Sequence, residues 1–362
     1  MTRLLMNDAP LNLYFLGIIE DHTVTKKTDP NYGKGVAEAT ESDSLEPYIR
    51  IVKQRVNKAI TSETFEIPLL PHVATQVLQL ANNPNAGFVE IEKIVKQDQV
   101  IAGHLIKTAN SVFFRGISEV ASLRDAMSRI GLKTLKDIVF SLSLHSKVFR
   151  VKGYEPILAE IWKHSVACAA ISQILAKYAG LNSDTAFVAG LVHDIGKPVL
   201  INVISQWESE LQKPKPESPK DKKLRLWGTP EQKAAIAKKN YRPDRAKIHS
   251  IFEEVLVPFI FEESHAQVGA IVAAKWKLPN EIMESIRWHH KPELSPNKIP
   301  ITTVIYLANL LCHHFGYGHE EDPIILPHQK AFKELNISEE KIRKIGTDLP
   351  KYVDQLLSSM VV

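Results

Sequence analysis

From Pro71 to Arg150 apolar residues recur at steps of three and four, the period of helices with one buried face, and nothing reads as a strand. Val73, Val77 and Leu80 form one stripe, ended by Asn82-Asn83-Pro84. A short helix follows over 89–96. Asp98 is placed to cap the next, whose inner face is Ile101, Leu105 and Ala109, up to Asn110-Ser111. Ser122 and Asp125 resemble a capping box opening a helix over Leu123–Ile130, with Gly131 as the stop. Residues 134–149 close this lobe.

A second helical lobe opens at Pro156, a favourable first helical residue. Ile157, Ile161, His164, Cys168, Ile171 and Leu175 share one face until Gly180. Residues 186–195 are apolar all the way round, which predicts a helix buried on every side, capped by Ser183. His193 and Asp194 fall in its last turn, and Gly196-Lys197-Pro198 are read as its stop. Ser264 and Gln267 form another capping box, which puts His265 in a first helical turn ahead of Val268, Ile271 and Val272. Residues 279–290 bury Ile282, Met283 and Ile286 and end on His289-His290, before Lys291-Pro292. Residues 301–315 bury Val304, Ile305, Ala308 and Cys312, with Asn309 beside that face, and Ser338 caps a helix over 339–345 in a helical tail.

The ends and one interior stretch depart from this pattern. Residues 1 to about 45 keep no sustained period: a short apolar segment over 11–19 precedes a flexible linker over 26–44, and a helix follows over about 45–60. Residues 201–260 read as an exposed excursion with short helices. The formal charge of the 362-residue chain is +4, yet residues 213–247 hold twelve Lys and Arg against four Asp and Glu, a local +8 that leaves −4 for the rest. The basicity is therefore one patch. Trp227 and Tyr241 in it could stack on bases, but no reading motif accompanies them, so a solvated insertion is expected rather than a nucleic-acid or anionic-surface site. Cys168 and Cys312 sit in helical patterns rather than a spaced framework, which predicts a reducing compartment and neither a disulfide nor a thiolate metal site. The N-terminus makes a poor signal peptide, and no apolar run approaches the ~20 residues of a membrane span, so the expected location is cytoplasmic.

The candidate chemistry is a set of imidazoles and one carboxylate. His164, His193, Asp194, His265, His289 and His290 lie at or near buried faces of four predicted helices. A buried carboxylate needs a cation, donors or a proton, and a helix C-terminus sharpens that need. Converging N and O groups in a helical bundle suit a mono- or dinuclear centre of Mn, Fe, Zn, Ni or Mg, which activates water for attack on phosphorus. His265 in a first helical turn would be biased to the neutral imidazole a metal needs. The alternatives are a hydrogen-bonded core histidine at position 164, an Asp194 satisfied by His164 or Lys197 without metal, and a His289-His290 pair that merely ends a helix. His72, His104, His145, His249, His313, His314, His319 and His328 are assigned to structural or surface roles.

Several separated segments resemble a known family in its own order. Ile67-Pro68-Leu69-Leu70-Pro71, then IVKQDQVIAGHLIKTANSVFF and VASLRDAMSRIGLKTLKDIV, are similar to the first half of bacterial HDOD domains. WKHSVACAAISQIL, AFVAGLVHDIGKPVL, FEESHAQVGAIVAAKWKLP and IRWHHKPE resemble the second half, which is related to the HD superfamily of metal phosphohydrolases. The resemblance covers about residues 65–318. It implies an all-α, two-lobed fold whose second lobe is HD-like, with an extension and linker over 1–64, the HDOD domain over 65–320 (lobes 65–150 and 151–320, the basic insertion at about 205–258) and a helical tail over 321–362. It also implies a signalling output or scaffold module that binds a signalling protein or small ligand.

The superfamily's metal set is His…His-Asp…Asp; His164 matches the first position and His193-Asp194 the central pair, while Asn309 stands where the closing Asp falls. The HD-GYP branch, which hydrolyses cyclic di-GMP, has further ligands and a phosphate-facing Lys where His265, His289, His290 and Lys197 lie. No Gly-Tyr-Pro motif follows here, and Lys291 replaces the expected Glu. A non-enzymatic signalling module is the leading expectation. The alternative is a metal-dependent phosphohydrolase or phosphodiesterase acting on a nucleotide, with Asp194 and Lys197 in catalytic roles and Asn309 as a weak ligand.

Overall fold

The computed structural model describes residues 67–81, 87–111, 113–114, 116–212, 218–233, 257–318 and 329–360, together with Gln54. The apolar segment over 11–19, the linker, the rest of the helix over 45–60 and most of the basic excursion lie outside them. All described residues belong to one compact unit, Val52–Val362.

Among the described residues the secondary structure is helical, with no strand. The first lobe comprises α1 (His72–Ala81), α2 (Phe88–Val95), α3 (Gln99–Ala109), α4 (Leu123–Ile130) and α5 (Leu132–Val148). Its caps follow the sequence. Asp98 accepts from the backbone N–H groups of Val100 and Ile101 at 3.0 and 3.1 Å, and Ser122 accepts from that of Asp125 at 3.1 Å. Gly131, at φ 84°, turns the chain between α4 and α5 in a conformation that only glycine adopts cheaply.

The second lobe is built on α6 (Glu155–Tyr178), α7 (Ser183–Val192), α8 (Gly196–Gln212), α10 (Val257–Lys275), α11 (Asn280–Trp288) and α12 (Pro300–His314). Helix α9 (Pro219–Trp227) is short and buries no residue. Beyond its polar first turn, helix α7 is apolar on all sides and enclosed from Ala186 to Val192, lying along α6 and touching α11 and α12.

The structure corrects four expectations. Asn182, not Ser183, caps α7, accepting from Asp184 and Thr185 N–H, both at 3.0 Å. Gly196-Lys197-Pro198 do not end the helical run: α7 stops at Val192, a three-residue break holds His193-Asp194-Ile195, and Gly196 starts α8. Pro198 falls in the first turn of α8, where a missing N–H costs nothing. Helix α8 then reaches Gln212 and buries Ile204 and Trp207, so the excursion begins later than expected. Helix α10 starts at Val257 rather than at Ser264, because the apolar run Val257–Phe261 extends it upstream, and His265 sits in mid-helix.

The run Ser183–Ser209 is, by length and composition, apolar enough to cross a membrane, contrary to expectation; 83% of its window is buried inside this fold, as a core helix would be.

The tail contains α13 (Gln329–Glu334) and α14 (Glu339–Met360). Helix α14 packs on α6 and also on α3 and α5, so it bridges the lobes. Ile345, Leu349, Val353 and Leu356 are its buried stripe, stepping by four, four and three. A polar relay runs beside it: Gln173 Nε2 on α6 donates to Asp137 Oδ2 on α5 at 3.0 Å, and Tyr352 on α14 donates to Gln173 Oε1 at 2.9 Å. Burial raises the Asp137 carboxyl to about 7, against the opposing Gln173 hydrogen bond. A shallow cleft beside Asp137, with a cavity volume of only about 10 Å³, is lined by Val77, Lys136, Phe140, Asp184 and Phe187.

Candidate metal centre

Four buried imidazoles are oriented in the same way. His164 on α6 places Nδ1 2.8 Å from the Tyr317 carbonyl, and His193, in the break after α7, places it 2.7 Å from that of Gly190. His289, at the C-terminus of α11, has Nδ1 2.8 Å from Ile286 O, and His265 on α10 bonds Phe261 O one turn back. A carbonyl oxygen only accepts, so each Nδ1 must carry the hydrogen. In the neutral ring Nε2 is then a lone pair. All four Nε2 atoms point into one space.

Asp194 occupies the centre of that space, 2% exposed. Oδ2 lies 3.6 Å from His164 Nε2 and 3.4 Å from His193 Nε2; Oδ1 lies 3.3 and 3.5 Å from Nε2 of His265 and His289. The imidazoles also face one another, His164 to His193 at 3.2 Å, His265 to His289 at 3.2 Å and His265 to His290 at 2.9 Å between Nε2 atoms. Facing lone pairs repel unless a proton or a cation lies between them. Nitrogens bound about 2.0–2.1 Å from one tetrahedral ion stand about 3.3 Å apart. The observed spacings are those of a coordination sphere. Among the described residues two groups could hold an ion, His164–His193–Asp194 and His265–His289–His290. The backbone anchors on Nδ1 are the outer-shell contacts that metal-binding histidines use to fix their tautomer.

Charge follows the geometry. Burial alone would raise Asp194, but His193, Lys197, His289 and His265 hold it well below the usual carboxylate range. Lys197 Nζ stands 2.5 Å from Oδ2. Asp194 also precedes the first turn of α8, so the positive end of that helix dipole faces it and offsets the α7 C-terminus that the sequence made the dominant influence. Burial pushes His164 well below its ordinary value, His265 down to about 3, and His289 and His290 downwards as well. His265 is neutral because it is desolvated, not because it begins a helix. For His193 burial is outweighed by the Asp194 carboxylate, with the Cys168 thiol and Gly190 carbonyl, and the ring is raised to about 9.

The structure thus brings His164, His193, Asp194, Lys197, His265, His289 and His290 together. His290 is the member at the solvent edge. Asn309 lies on α12, which packs on α6 and α7; it is 7% exposed, and its side-chain oxygen finds no hydrogen-bond partner. Sequence reasoning missed the carbonyl anchors, and it missed His313, whose ring centroid is 5.3 Å from that of His164. The i−3 pairs Gly190/His193 and Ile286/His289 were the available signal. Cys168 and Cys312 are both buried thiols, and Cys168 Sγ lies 3.9 Å from Ser172 Oγ.

Known proteins place this arrangement. The HDOD domain family model matches residues 67–237 and 237–292. A solved HDOD domain protein from Geobacter sulfurreducens is 21% identical, with a TM-score of 0.57 over 86% of this chain and 99% of that one. One from Marinobacter aquaeolei VT8, described as a signal transduction protein, gives 20% identity and a TM-score of 0.58 over 86% of this chain and 66% of that one. A Shewanella amazonensis SB2B protein, described as a phosphohydrolase, gives 20% identity and a TM-score of 0.52 over 86% and 98%. A curated, uncharacterized protein of Treponema pallidum (strain Nichols) is 22% identical over 303 residues, 83% of this chain but only 50% of that protein. This chain therefore spans half the length of that curated relative. At these identities the solved structures speak for the fold alone, an all-α, two-lobed one, and the family match speaks for descent. The chain belongs to the HDOD domain family.

Proposed function

We propose that this chain is a bacterial signal-transduction module that binds or scaffolds a partner without hydrolysing a substrate, and that its His/Asp cluster holds a divalent metal ion. One observation carries the reading. Tautomer-fixed imidazoles from four helical segments converge on one buried carboxylate, while the position for a closing carboxylate is taken by Asn309. A bound divalent ion supplies the positive charge that Asp194 and the facing lone pairs call for; Asn309 offers no second carboxylate to balance an ion's charge or to take a proton from a metal-bound water. His164, His193, Asp194, His265, His289, His290 and, weakly, Asn309 are the proposed ligand set, with Mn, Fe, Zn, Ni or Mg as the ion. The imidazoles favour Zn, Fe, Ni or Mn over Mg. Asp194 and the rings then act as a tie across α6, α7, α10 and α11. The partner is a signalling protein or a small ligand, the location cytoplasmic, and the domain limits are 1–64, 65–320 and 321–362.

The second reading, a metal-dependent phosphohydrolase or phosphodiesterase acting on a nucleotide, is favoured by one feature: two ligand groups share Asp194 through its two oxygens. In it Lys197 would meet a phosphate. Elemental analysis of the purified protein, thermal melts with and without chelator, and nucleotide turnover with added Mn or Fe separate the two. The signalling reading expects bound metal, a melting temperature lowered by chelation and no turnover. Turnover that Asp194→Ala abolishes overturns it in favour of the hydrolase, and absence of metal under every loading condition removes the metal from both.

A further inference from the structure

The two halves of the cluster differ in one respect, the side of Asp194 that already carries a cation. Lys197 lies three residues beyond Asp194 in the first turn of α8, and its ammonium sits 2.5 Å from Oδ2. It is no swinging surface lysine. The side chain is 20% exposed, and Nζ rests 5.9 Å from the centre of the Phe261 ring, a cation–π contact with α10. Oδ1, buried on the other side, has no hydrogen-bond donor, and faces His265 and His289 at 3.3 and 3.5 Å.

We propose that Lys197 is the built-in counter-ion of the His164–His193–Asp194 Oδ2 half, so that the chain takes one divalent ion, on the His265–His289–His290 half with Asp194 Oδ1. This rests on the metal reading above and adds where the ion sits and what keeps it to one. A dication on Oδ2 and an ammonium 2.5 Å from the same oxygen repel strongly in a low-dielectric interior. The half that Lys197 occupies gains no second carboxylate from α12, which sets His313 against His164 and carries the amide of Asn309. While the ammonium is in place it neutralises the shared carboxylate on that side, and a second dication is kept out. The other half has three imidazoles within 4.8 Å of one another, the oxygen left by Lys197, and His290 at the solvent edge as the way in.

The test is metal stoichiometry and affinity on the full chain, loaded with cobalt(II) or zinc and read by elemental analysis, cobalt absorption and competition with a chelator. The wild type is expected to hold one ion, Lys197→Met two, and Lys197→Arg, which keeps the cation, one. Two further variants leave the lysine in place. His290→Ala should weaken the single ion by roughly tenfold or more, since loss of even an outer-shell contact costs 10–100-fold, whereas His164→Ala should shift it less than about threefold. Two ions in the wild type, one in Lys197→Met, or a His164→Ala effect as large as that of His290→Ala overturns the assignment and leaves the metal reading standing. No metal in any of the variants or the wild type overturns both.

Discussion

The Asp137 relay makes a prediction that can be worked to a number. Asp137 is buried, its carboxyl is raised to about 7 from an ordinary 3.8, and its one hydrogen-bond donor is the neutral amide of Gln173. Lys133 and Lys136 favour its ionisation, Asp184 opposes it, and the Tyr352 hydroxyl faces the relay from α14. Between the two pKa values the folded chain keeps a proton that the unfolded chain has released. Stability contributed by this group is therefore full below about pH 4, falls as pH rises and levels off above about pH 7. From pH 5 to pH 8 the loss is about 3 kcal/mol, at roughly 1.4 kcal/mol for each pH unit below the folded pKa. Asp137→Asn removes the titration and keeps the shape of the protonated acid. Urea denaturation of both proteins across pH 5–8 isolates the effect, because the histidines contribute equally to each. The wild-type stability should fall against the variant by about 3 kcal/mol over that range, with unchanged m-values. Parallel curves for the two proteins would show that Asp137 ionises freely in the fold and refute the argument.

Three further substitutions test the local reading. Asn182→Ala removes the cap of α7 and should cost about 1 kcal/mol in urea titration, whereas Ser183→Ala, at the residue the sequence pattern favoured, should cost less than half of that. Gly196→Ala drives a methyl group into the His265 carbonyl and to 2.8 Å from Gly269 N, and should destabilise by roughly 3 kcal/mol or more, seen as a large fall in melting temperature.

Much of the fold was legible because it is written locally. Asp98 and Ser122 cap where they were expected to, and α3 buries all three residues its period named. Helix α1 buries Val77 but leaves Val73 and Leu80 half-buried, and α11 buries Ile282 and Ile286 with Met283 half-buried. The errors arose where one local chemistry serves two ends. Gly and Pro mark a helix stop, yet they also suit a start, and Gly196 is small for a reason no local pattern holds: the backbone of α10 passes against it. Ser264 and Gln267 spell a capping box inside a helix that an upstream apolar run had already begun. The residues of the site were nameable singly; their convergence was not, because the carbonyls that fix His164 and His265 are a long-range contact from Tyr317 and a turn of helix that was not expected to exist.

The stretch that matches the family stops at residue 292, but the physical object does not. Beyond it lie α12, which carries Asn309, the Tyr317 carbonyl that orients His164, and the α14 stripe laid over α3, α5 and α6. Inheritance and cooperativity draw different borders here. A chain trimmed to the inherited segment would keep the His193-Asp194 pair, but lose the contact that aims its first imidazole and uncover apolar faces on both lobes; the minimal heritable unit is smaller than the minimal foldable one.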